Sequence, residues 1–316
     1  MLEQLIRKTE SRRPSSSGEK EIYWVKYEPA ETRGVIEIAH GMSEHSGRYE
    51  AFARYLAGLG FSVYLNDHLG HGKSAGDEPG VFTHRKGHGF DYVIEDMRVT
   101  LETAKTEHPG VPAFLLGHSM GSILSGLFAD LHGDMLDGLV LMGTPAPNPA
   151  AGPGLILAGA VRLLRGGQAV SKLLTDLGSA NMHVPEEKEL GRSAWISYNV
   201  DNIRTYDADP LCGFPFTVGA MQALVKGMGK FGGKDWGRNV PKDLPVLVIA
   251  GADDPCGNFG KGPDHYAKQL QSLGVKDVRL KLILSARHEI LQEKNREDTF
   301  VILGDWFTGL LSRKEA

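Results

Sequence analysis

Short apolar runs and longer amphipathic stretches alternate along this chain. The runs IYWVKY (22–27), GVIEIAH (34–40), FSVYLND (61–67), PAFLLG (112–117), GLVLMG (138–143), PVLVIAG (245–251) and VRLKLIL (278–284) have the length of strands. Between them lie helical patterns: YEAFARYLAGLG (49–60), YVIEDMRVTLETAKTEH (92–108), SILSGLFADLHG (122–133), DHYAKQLQSLG (264–274) and REDTFVILGDWFTGLLSR (296–313). Strands apolar almost throughout must be buried on both faces. The alternation therefore predicts an α/β fold, with a mostly parallel central sheet and helices on both faces.

The alternation stops after Gly143 and resumes at Pro245. The segment between opens on TPAPNPAAGPG and carries helical pieces but no comparable strand. Ligands bind at the carboxyl edge of such a sheet, so an insertion there is placed to act as a lid. The expected division is a first core part at 1–144, a helical lid at 145–240 and a second core part at 241–316. The Ser-rich SRRPSSSG near the start reads as a short linker.

Composition narrows the function classes. A formal net charge of −4 and an isoelectric point near 6.3 argue against a nucleic-acid partner. Cys212 and Cys256 cannot make a disulfide framework, and the first residues lack the apolar core of a signal peptide. The longest apolar stretch, GLILAGAV (154–161), is too short to span a bilayer. A cytoplasmic protein is expected.

Two serines sit in the pattern G-x-S-x-G: Ser119 in GHSMG and Ser74 in GKSAG. Ser119 follows an apolar strand and precedes a helical pattern beginning at Gly121 or Ser122, the context of a nucleophile on a tight turn. Ser74 has no helix after it. Gly70, Gly72 and Ala75 imitate a dinucleotide fingerprint, and Lys73 with Ser74 a phosphate loop, but the first lacks its helix and the second has Asp67 where a glycine is needed.

A serine nucleophile needs a histidine base, and the histidine an acid that orients it. The chain order expected in this context is Ser, Asp or Glu, His. Among the histidines after Ser119, His132 and His183 precede any suitable acid, and His265 lies within a helical pattern. His288, just beyond the strand 278–284, is the candidate base. The preceding strand runs into Asp253 and Asp254, which point opposite ways in extended chain, and either is a candidate acid.

These pieces resemble the α/β-hydrolase fold, and within it the monoacylglycerol lipase and lysophospholipase group, often catalogued with serine aminopeptidases. The matching residues are HGMSEHSGRY (40–49), DHLGHGKS (67–74), GHSMGS (117–122), GADDP (251–255) and RHEIL (287–291). The resemblance implies Ser119 as nucleophile, His288 as base and Asp254 as acid. It further implies the backbone N–H groups of Met42 and Met120 as the oxyanion hole.

The implied reaction is cofactor-free hydrolysis of a lipid carboxylic ester through an acyl-enzyme, with neither cofactor nor metal expected. The lid stretch LILAGAVRLLR is a candidate for transient contact with micelles or membrane surfaces. One alternative is an aminopeptidase of the same fold, with Glu186, Glu187 or Asp209 anchoring the substrate amine. Another is a metal-dependent hydrolase drawing on His68, His71, His84 and His88 with Asp67, Asp77 and Glu78. A third is a binding protein without chemistry.

Overall fold

The computed structural model describes residues 6–85, 89–178, 182, 184 and 189–315. One sheet contains β1 (Arg7–Pro14), β2 (Glu21–Glu28), β3 (Gly34–Ala39), β4 (Phe61–Asn66), β5 (Ala113–His118), β6 (Gly138–Met142), β7 (Val246–Gly251) and β8 (Val278–Ile283). Their spatial order is β1-β2-β4-β3-β5-β6-β7-β8. The β1–β2 and β2–β4 ladders are antiparallel and the remainder parallel. Every apolar run expected as a strand is one.

β1 is the exception, a strand that the hydrophobic pattern does not announce. Its sequence RKTESRRP is largely exposed, yet it pairs with β2 from Arg7 opposite Glu28 to Pro14 opposite Glu21. Neither face is buried, so no period-2 apolar signal exists, and its charges protect the outer edge from pairing with another chain. The Ser-rich segment is consequently a hairpin turn rather than a linker. Asp96 accepts hydrogen bonds from Ser15 Oγ at 2.7 Å, Ser16 N at 2.7 Å and Ser16 Oγ at 2.8 Å.

Alternate strand residues enter two cores, as the pleat requires. On β5, Phe114 and Leu116 pack with Phe52 of α1 (Glu50–Gly58) and Phe307 of α9 (Arg296–Glu315). Ala113 and Leu115 face the opposite core, with Met97 of α2 (Gly89–Glu107), Leu124 of α3 (Met120–His132) and Leu270 of α8 (Lys261–Ser272). Each large apolar side chain buried this way contributes about 1.5–3 kcal/mol.

Between β6 and β7 lie α4 (Ala151–Arg165), α5 (Lys172–Gly178), α6 (Val200–Ala208) and α7 (Val218–Phe231). These helices are not equivalent. α7 belongs to the core, with Ala220, Met221 and Phe231 buried, and a Cβ at Gly126 of α3 would stand 2.1 Å from the Phe231 ring. α4 and α5 instead expose Ile156, Leu163, Leu164, Leu173 and Leu177, with Leu163 88% exposed. Among the described residues, no helix is long and apolar enough to cross a membrane.

From β3 the chain moves outward to β4, then crosses back over β3 to β5. The carboxyl ends of β3 and β5 therefore flank a topological switch point, the place where open α/β sheets bind ligands.

Candidate active site

Ser119 terminates β5 and caps α3 with φ 55° and ψ −116°. A non-glycine residue in this region stores about 1–3 kcal/mol of strain. Its N–H donates to Met142 O at 2.9 Å, holding the turn against the end of β6. The flanking glycines are required by close approach: a Cβ at Gly117 would lie 2.1 Å from Gly121 O, and one at Gly121 2.0 Å from Ala39 O. Ser119 itself remains partly exposed. Because it is the cap, α3 begins at Met120, earlier than the apolar pattern suggests.

His288 and Asp254 leave neighbouring strand ends and meet: His288 Nδ1 lies 2.9 Å from Asp254 Oδ2. Both side chains are buried. Burial pulls the His288 pKa down, but the charge and hydrogen bond of Asp254 outweigh it, and the net shift is upward. Asp254 Oδ1 also accepts the Cys256 N–H at 2.8 Å, which fixes the carboxylate. Asp253 points elsewhere, accepting from Tyr198 OH at 3.2 Å. The loop bearing His288 reaches the serine turn, where His118 Nε2 is 3.3 Å from the His288 carbonyl oxygen and the two rings are 4.8 Å apart.

Met120, as the first residue of α3, has an N–H with no intrahelical acceptor. Met42 lies on the loop after β3. That loop passes close over the serine, since a Cβ on Gly41 would stand 3.2 Å from Ser119 Cβ. Glu44 holds the loop in shape, accepting from Gly41 N at 2.5 Å and Tyr49 OH at 2.8 Å, with His118 Nδ1 at 3.2 Å. Burial alone would raise the Glu44 pKa, but His118 and Arg48 hold it below the usual carboxylate range.

The inserted segment also grips this loop. Gly213 N and Tyr206 OH donate to Ser43 O at 2.9 and 3.1 Å, and Ser43 Oγ donates to Phe214 O at 2.7 Å. Trp195 covers His288 with ring centroids 4.7 Å apart. Residues on either side of the histidine secure it: Arg287 Nη1 donates to Ala194 O, and Glu289 N to Ile196 O, each at 2.8 Å. Glu44, His118, Trp195 and Tyr206 escape sequence reasoning. Glu44 and His118 lie inside the matched HGMSEHSGRY and GHSMGS, but no role is read from either.

The rival residues have other places. Ser74 is 4% exposed, and its hydroxyl donates to Asp67 O at 2.7 Å while accepting the Tyr23 N–H at 2.8 Å. Asp67 accepts from Ser46 N and Lys73 N. His68 and His71 pack with His40, and burial pushes the pKa of each down to about 3. His84 pairs with Glu78 at the surface. His265 is exposed on α8, and His132 ends α3. His88, His183, Glu186 and Glu187 lie outside the described residues. A cavity of about 570 Å³ opens between α2, α3, α4 and α7, but its lining includes none of Ser119, Asp254 and His288.

The sheet order, the strained serine turn at the switch point, and the later strand ends carrying Asp254 and His288 define an α/β-hydrolase. A family model described as "Serine aminopeptidase, S33" matches residues 30–295, and the chain belongs to that family. It is 31% identical to the human monoglyceride lipase over 86% of this chain and 80% of that protein. With the monoacylglycerol lipase of Mycolicibacterium smegmatis it shares 28% identity over 93% of this chain and 95% of the other. A thermostable carboxyl esterase from Bacillus coagulans, solved in complex with glycerol, superposes with a TM-score of 0.89 at 28% identity, covering 96% of this chain and 99% of the esterase.

Proposed function

We propose that this chain is a serine hydrolase of lipid carboxylic esters, of the monoacylglycerol lipase or lysophospholipase kind, acting through an acyl-enzyme. The observation that carries this is the His288–Asp254 pair, at 2.9 Å, beside a strained serine turn. Ser119 Oγ attacks the ester carbonyl as His288 Nε2 takes its proton. The Met42 and Met120 N–H groups receive the developing oxyanion, and loss of one such donor typically costs about 2.7–4 kcal/mol. His288 then gives the proton to the departing alcohol. A water, deprotonated by the same nitrogen, attacks the acyl-serine, and the carboxylic acid leaves. Asp254 keeps Nδ1 protonated and stabilises the imidazolium.

In this scheme the lid is the part of 145–240 that carries α4 and α5, since α7 belongs to the core. Its α4 and α5 present Ile156, Leu163, Leu164, Leu173 and Leu177 to solvent, with Arg165 and Lys172 on the same segment. Such a surface suits transient contact with a micelle or membrane, where the substrate resides. The site's own residues supply every proton transfer, so the scheme calls for no cofactor. The reducing compartment that suits Cys212 and Cys256, both unpaired, is the cytoplasm.

The family description favours comparison with an aminopeptidase. Asp209, the described member of the candidate acidic anchors, is engaged by His45 at 3.0 Å and by Leu211 N at 2.8 Å, which supports the ester over the amine substrate. Side-by-side assays of a monoacylglycerol, a lysophospholipid, a short activated ester and an aminoacyl anilide test the proposal. Ester cleavage that is lost in Ser119→Ala is expected. Faster cleavage of the anilide would replace the lipase assignment with the peptidase.

A further inference from the structure

Three groups of side chains among the described residues bring metal-capable atoms together. Asp254, Cys256 and His288 belong to the site already described. Glu28, Glu107 and His108 form the second, but Lys26 lies 3.2 Å from Glu28 and 2.5 Å from Glu107, and Arg7 also pairs with Glu28, so its two carboxylates already face two cations. The third comprises His45, on the loop that carries Met42, with Asp209 and Cys212, which follow α6.

The ring nitrogen, carboxylate oxygen and sulfur of this third group all lie within 4.8 Å of one another. His45 Nε2 and Asp209 Oδ2 are 3.0 Å apart. Zinc binds nitrogen and oxygen at about 2.0–2.2 Å and sulfur at about 2.3 Å in a tetrahedron, which separates ligand atoms by roughly 3.3–3.8 Å. Small side-chain movements bring the three atoms to that spacing. His45 and Asp209 are partly exposed, which gives an ion a route in.

We infer that His45, Asp209 and Cys212 form a zinc site, with the fourth position left to water, that bolts the inserted segment to the oxyanion loop. A mixed nitrogen, oxygen and sulfur set suits zinc and is foreign to calcium or magnesium, which take oxygen. The bolt adds to the seam already made by Gly213, Phe214 and Ser43. It is independent of whether Ser119 cleaves lipid esters.

The protons balance as follows. A cysteine thiol is protonated at neutral pH, so its proton passes to solvent as the S–Zn bond forms. His45 Nδ1 accepts the Gly47 N–H at 3.1 Å, which puts the ring proton on Nε2, toward Asp209. Coordination at Nε2 shifts that proton to Nδ1 and releases the exposed Gly47 bond. The Asp209 carboxylate and the Cys212 thiolate then neutralise the ion. Arg48, the nearby cation, is balanced by Glu289 at 2.7 Å and Glu44 at 3.8 Å.

Titrating the full chain with zinc against a chromophoric chelator, and separately with cobalt, tests the site. Wild type is expected to bind one equivalent at micromolar or tighter affinity, to melt higher with zinc, and to show a thiolate-to-cobalt charge-transfer band. Cys212→Ser should remove the band and weaken binding at least about tenfold. His45→Gln should weaken it similarly, and Cys256→Ser should change neither. Absence of saturable binding, binding unaffected by Cys212→Ser and His45→Gln, or loss confined to Cys256→Ser would each overturn the inference.

Discussion

Two segments of this chain spell G-x-S-x-G, and their surroundings give the serines opposite fates. At 117–121 the serine ends a central strand, adopts φ 55° and stays partly exposed at the switch point of the sheet. At 72–76 the serine is buried, and its hydroxyl both donates to Asp67 and accepts from Tyr23, tying a loop to β2. One position holds strain and leaves an oxygen for chemistry. The other relieves two backbone groups and leaves nothing to react. A motif is thus a statement about what precedes and follows it.

Substitution sharpens this contrast. Ser119→Ala should lower kcat for ester hydrolysis by about 10⁴–10⁶ while leaving the melting temperature unchanged or raised, since alanine removes only the hydroxyl oxygen. Retention of most activity would transfer the chemistry elsewhere. Asp254→Asn should lower kcat by about 10⁴, whereas Asp253→Asn should change it less than a few-fold. Equal losses in the two variants would show that the acid is shared.

Ser74→Ala inverts the pattern. Two buried backbone partners lose their hydrogen bonds, so denaturant unfolding should report a loss of about 1–3 kcal/mol with kcat per folded molecule retained. A collapse of kcat in folded protein would give that loop a part in catalysis.

The smallest expected effect is in pH dependence. The Asp254 carboxylate raises the His288 pKa despite burial, so the acid limb of kcat/KM should lie above the ordinary imidazole value of about 6.5 and move down in Asp254→Asn. The stability sign is opposite to that of a salt-bridged carboxylate. A raised folded pKa stabilises below the unfolded value, and this contribution disappears as pH climbs through the folded one. The stability difference between wild type and Asp254→Asn should therefore be larger near about pH 5 than near about pH 9.

The alternation of short apolar runs with helical patterns determined the parallel sheet, because strands buried on both faces are apolar almost throughout. The local context of Ser119 and the chain order of serine, aspartate and histidine were equally legible, since each rests on a strand end readable within ten residues. Tertiary structure decided the rest. β1 is a strand only because β2 offers it an edge, and no periodic burial marks RKTESRRP. Asp254 rather than Asp253 bonds His288 because of how the chain turns after β7, a choice adjacent identical residues cannot encode. Glu44, His118, Trp195 and Tyr206 come together across separations of tens to hundreds of residues, and their hydrogen bonds and ring contacts leave no local pattern. Local pattern records burial and turn chemistry; pairing between distant polar groups exists only once the chain has folded.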